Sequence, residues 1–111
     1  IFNCKKEELF LSSITIAELE YGVSKSQFRE KNRHALLDFC SDFTNIIDFT
    51  TEDTETYGMI RAYLENKGMP IGPFDTQIAA QGLARNLTVV TNNIREFSRI
   101  PGLKVEDWTK E

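Results

Sequence analysis

G-P-F-D-T-Q-I-A-A-Q-G-L-A-R-N-L-T-V-V-T-N-N, residues 72–93, reads as a helix running almost directly into a strand and then into a polar loop. Pro73 sets its own backbone for a first helical turn, where its missing N–H costs nothing. Phe74, Ile78, Ala79 and Leu83 then recur at helical spacing, and Asn86 suits a left-handed stop. L-T-V-V at 87–90 is a short apolar run with two β-branched valines, a buried strand by composition and length. Thr91, Asn92 and Asn93 follow as turn-forming residues.

Working outward, the same alternation repeats. E-E-L-F-L-S-S at 7–13 reads as a buried strand that feeds a helix opened by Thr15. Leu36, Phe39, Cys40 and Phe43 share one helical face, with His34 on the wet side. N-I-I-D-F at 45–49 predicts a strand, and Tyr57, Ile60 and Leu64 a further helix after the threonines and acids that precede them. Gly68, Pro70 and Gly72 break the chain before Pro73. Downstream, a helical turn at 94–97, a break at Pro101 and Gly102, and a strand at 103–106 complete the order. Alternating strands and helices predict an α/β fold with a parallel sheet, and ligands in such folds bind beyond the carboxyl ends of the strands.

The chain has 111 residues, room for a single domain spanning 1–111. With 41% apolar residues and eight phenylalanines it can offset the entropy of folding. Apolar runs are short, such as L-F-L at 9–11, so no membrane-spanning helix is expected. No secretory leader is legible, and Cys4 and Cys40 lack both a disulfide framework and metal-ligand spacing, which fits a reducing cytoplasm, with Cys40 expected in the core. The net charge of −4 does not advertise a nucleic-acid partner, but its distribution is uneven. Residues 58–104 carry six basic side chains against three acidic ones, whereas residues 1–57 carry six against eleven.

Two acids stand out. Glu18 lies three residues after Thr15, with Ile14 before and Leu19 after, the spacing of a capping box with a hydrophobic staple. That is a purely structural account of it. Asp75 falls at the third position of the helix opened by Pro73, where the dipole favours a carboxylate. Taken together, two carboxylates at helix starts near the strand ends of one sheet suit a hard cation and activation of water at phosphorus. Both are expected to stay ionised at neutral pH. A single histidine excludes most Ser-His-Asp and Cys-His sites, and no Walker or dinucleotide fingerprint is present.

Three ordered blocks, S-S-I-T-I-A-E-L-E-Y-G at 12–22, N-K-G-M-P-I-G-P-F-D-T-Q-I-A-A at 66–80 and V-V-T-N-N-I-R-E-F-S-R-I-P-G-L at 89–103, resemble VapC toxins of the PIN-domain ribonuclease family, and D-W at 107–108 resembles the usual finish. The resemblance implies a three-layer α/β/α fold and a metal-dependent endoribonuclease of a type II toxin-antitoxin system. By it, Glu18 and Asp75 match the acids that bind magnesium or manganese. Asn93 falls where many relatives have another aspartate, so a second cation should bind weakly, and Thr91 is a polar contact of the same loop. Lys67, Arg85, Arg95 and Arg99 are candidate phosphate contacts of an RNA substrate, which block 66–80 resembles tRNA-cutting members in taking. A VapB-type antitoxin partner and homodimerisation are implied too, with Phe28, Phe39 and Phe43 as candidate interface residues.

The departure is at the start. Such domains begin with an aspartate-bearing strand in mid-sheet, between the strands expected at 8–13 and 87–90, and this chain begins at Ile1 without it. The expectation is an N-terminally truncated chain whose sheet has two unmade inner edges unless it rearranges or borrows a strand, and whose nuclease activity alone is weak. A non-catalytic module that binds antitoxin or RNA is the runner-up, and a phosphotransfer domain using Asp75 as nucleophile a third.

Overall fold

The computed structural model describes residues 6–107. Trp108 and Cys4 lie outside this range. After a 3₁₀ turn at Lys6–Glu8, strand β1 (Leu9–Ser12) is buried along its length and passes with no loop into helix α1 (Ser13–Lys25). Helix α2 (Arg29–Ser41) follows, then the short strand β2 (Ile46–Ile47) and a 3₁₀ turn at Thr51–Asp53 that opens into α3 (Thr54–Asn66). The long stretch quoted first becomes α4 (Pro73–Arg85), closed by Asn86 in the left-handed region at φ 56°, and β3 (Thr88–Thr91). A single turn α5 (Ile94–Phe97) and strand β4 (Lys104–Asp107) finish the described chain.

The four strands form one parallel sheet in the order β2-β1-β3-β4. The expected opening between β1 and β3 is not there: the two pair directly, Leu9 opposite Thr88 and Phe10 opposite Val89. Unmade backbone hydrogen bonds in a buried sheet are costly, and closing the two strands on one another satisfies them.

The core gathers Phe10 and Val89 from the sheet, Ile60 and Leu64 from α3, Ile78, Ala79 and Ala80 from α4, and Phe97 and Ile100. Helix α4 packs closest. At Gly82 an added Cβ would lie 2.9 Å from Val89 Cγ2 and 3.1 Å from Phe10 Cε1, so the helix rests on the sheet at a residue with no side chain to displace. Helices α1 and α2 flank an apolar groove of about 390 Å³ lined in part by Leu19, Val23, Leu36 and Phe39. Cys40 is half-buried and outside the core where it was expected, and His34 is exposed as expected. No helix of the described residues is long and apolar enough to cross a membrane.

Candidate active site

The helix that bears Glu18 is capped three residues earlier than the Thr15 spacing suggests. Ser12 is its cap, with Oγ accepting from the Ile14 N–H at 3.1 Å. Thr15 is therefore already inside the helix and Glu18 is its sixth residue, too far along to close a capping box. The structural account of Glu18 fails, and the side chain is left exposed at the mouth of a cleft. Ile14 and Thr15, one turn earlier, face the same cleft because residues three and four apart share a helix face.

Asp75 comes to that cleft from the other direction. It is the third residue of α4, where sequence placed it, and is half-buried. Asn93, the residue before α5, donates from Nδ2 to Asp75 Oδ2 at 3.1 Å, and its backbone N–H donates to Thr91 Oγ1 at 3.0 Å. A three-residue relay thus links the end of β3 to the start of α4. The cleft, about 370 Å³, is lined by Glu18, Asp75, Thr91, Asn92 and Asn93, with Phe74 and Ile78 as apolar walls. It lies beyond the carboxyl ends of β1 and β3, where parallel sheets bind ligands.

Burial pushes the Asp75 carboxyl up from its ordinary range; the Asn93 hydrogen bond pulls it down, and the Glu96 carboxylate pushes it up again. The balance is a rise, opposite in direction to the expectation from the helix start alone. Desolvation is the largest of the three contributions.

The donor set fits a hard divalent cation. Magnesium is commonly bound through one or two carboxylates while keeping several waters, and Glu18 with Asp75 supplies that number. Among the described residues no group of three or more His, Cys, Asp or Glu side chains is placed to hold a metal ion.

The basic candidates divide. Arg85 is committed elsewhere: its guanidinium pairs with the fully buried Asp53 and reaches Glu52 at 2.7 Å. Ten residues of helix also put its Cα about 15 Å along the axis from that of Asp75, so its expected phosphate role gives way to a structural one. Lys67 is exposed and stands 5.7 Å over the Tyr63 ring. Arg95 is exposed on α5 beside the Asn93 loop, and Arg99 donates to the Pro70 carbonyl at 3.2 Å. The sequence reading missed Asp53, although Thr50 and Asp53 carry the capping spacing that would have found it.

A family profile described as PIN domain matches residues 2–103. The tRNA(fMet)-specific endonuclease VapC of Salmonella typhimurium is 45% identical over 107 residues, 96% of this chain and 80% of that protein. Ribonuclease VapC2 of Rickettsia felis is 49% identical over 106 residues, 96% of this chain and 78% of that one. Among solved structures, VapBC2 from Rickettsia felis bound to a promoter DNA fragment superposes with a TM-score of 0.78 at 52% identity, covering 87% of this chain and 72% of that one. DNA-bound VapBC from Salmonella typhimurium gives 0.79 at 46% identity, covering 89% and 74%.

Proposed function

Because the chain belongs to the PIN-domain family, as a VapC-type toxin ribonuclease, we propose that the cleft between α1 and α4 is its hydrolytic centre, with Glu18 and Asp75 as ligands of magnesium or manganese. The observation that carries this reading is the convergence of the two acids, 57 positions apart in sequence, on one cleft at the strand ends. A divalent cation bound there would supply Lewis-acid charge at a phosphodiester and would lower the pKa of a bound water.

The chain's own residues do the rest. Glu18 and Asp75 hold and orient the ion. Asn93 donates to one oxygen of Asp75 and so fixes the orientation of that carboxylate, and Thr91 keeps the Asn93 loop in register. An amide at 93 adds no negative charge, so one cation is held in preference to two. Arg95, Lys67 and Arg99 contribute positive charge along the approach of an RNA backbone.

The substrate we propose is tRNA, by similarity to the tRNA(fMet)-specific relative. The partner we propose is a VapB-type antitoxin, since the superposing structures are VapBC complexes. An apolar helical face of such a partner suits the α1–α2 groove with Phe39. A homodimer and a cytoplasmic location complete the proposal.

The deciding experiment is cleavage of initiator tRNA with magnesium, with chelator, and by Glu18→Gln and Asp75→Asn. Cleavage lost with chelator and reduced at least about 100-fold in each variant, with unchanged circular dichroism, supports the site. Tight antitoxin or RNA binding without cleavage by the unaltered chain decides for a binding module instead.

A further inference from the structure

Phe74 is expected from its spacing to extend the apolar face of α4 that Ile78 and Ala79 continue, yet it does not join the core. Its residue surface is 55% exposed, whereas Ile78, one turn along the same stripe, is 9% exposed and packed in the core cluster. The first member of the stripe lines the cleft instead. A single exposed phenylalanine is ordinary on a protein surface. This one adjoins Asp75 in sequence and shares the cleft wall with Glu18.

The surroundings give the ring a task. Two carboxylates with one divalent cation leave the cleft close to neutral, so charge within it does not by itself draw RNA in. An aromatic face does so without charge, because any unpaired base can stack on it. A phosphodiester held at Asp75 carries its base within one nucleotide's length of the neighbouring side chain. We propose that Phe74 is the stacking platform for the base flanking the scissile phosphate, which makes it a specificity-determining residue that selects unpaired nucleotides over duplex. This rests on the nuclease reading of the cleft.

The test uses the full chain with a hairpin RNA carrying either a normal or an abasic nucleotide beside the cleavage site, and a 2-aminopurine version for binding in calcium without turnover. Phe74→Ala and the volume-keeping Phe74→Leu should lower kcat/KM about tenfold, and Phe74→Trp should restore most of it. The abasic change should cost the unaltered chain about as much, and the two losses should not multiply. Quenching of 2-aminopurine should follow the ring and vanish in Phe74→Leu. Phe74→Leu with the kcat/KM of the unaltered chain, an abasic penalty equal in the unaltered chain and Phe74→Ala, or a loss confined to antitoxin inhibition overturns the stacking role. Quenching that follows the ring without any magnesium-dependent cleavage sinks the nuclease reading and keeps the ring's role.

Discussion

Asp53 has no exposed surface, and both of its oxygens are occupied: Oδ1 by Arg85, Oδ2 by the Thr50 N–H at 2.9 Å. Removing one partner of such a pair strands the other without its counter-charge. Arg85→Met is expected to cost about 3 kcal/mol and Asp53→Ala a similar amount, read from urea unfolding, with tRNA cleavage by the surviving folded fraction unchanged. At Asp75 the sign is different. Its folded pKa is raised, so ionisation works against the fold: this contribution is fully present below the unfolded pKa and is lost as pH rises through the folded one. In the metal-free protein Glu96→Gln should lower the Asp75 pKa and Asn93→Ala should raise it, followed by carboxyl ¹³C shifts. Sequence singled out Glu18, Asp75 and Asn93 because chemistry-bearing side chains are recognisable at loop and helix ends. The partner of Asp53 was not legible, because nothing local announces a contact 32 residues away.

Helix α4 depends on close approach. Gly82→Ala would press a methyl group against Val89 and Phe10 and is expected to cost about 1–3 kcal/mol by thermal unfolding, without a change of metal affinity at the far end of the helix. The limits of α4 were readable, since the ring of Pro73 fixes its φ near the helical value and Asn86 tolerates the left-handed conformation that ends the helix. The start of α1 was not. Ser12 and Thr15 are both good caps, and the choice falls to Ser12 because the strand before it is buried to its last residue and the chain turns at once. Pairing of β1 with β3 was equally hidden, for register between segments some 80 residues apart belongs to the assembled sheet and to no local pattern.

For the molecule as a whole, a net charge of −4 makes general attraction to RNA weak, and binding rests on the uneven division of charge. Affinity for tRNA should fall steeply between about 50 and 200 mM salt, with a smaller slope after Arg95→Ala, measured by filter binding. Cation binding should also be visible in stability, because only the folded chain brings Glu18 and Asp75 together. Magnesium or manganese at about 100 times its dissociation constant adds about 2.7 kcal/mol and should raise Tm by several degrees, an increase absent in Asp75→Asn.

The junction of β1 and α1 contains no spare residue, and this ties angle to chain length. Each helical residue advances the direction of a side chain by about 100°, so one amino acid inserted between Ser13 and Glu18 would swing the carboxylate away from the cleft while keeping every atom of it. Deletion of one would swing it the other way. The protein tolerates exchange of residues along this segment far better than any change in their number, and natural variation in its length is expected to be nil.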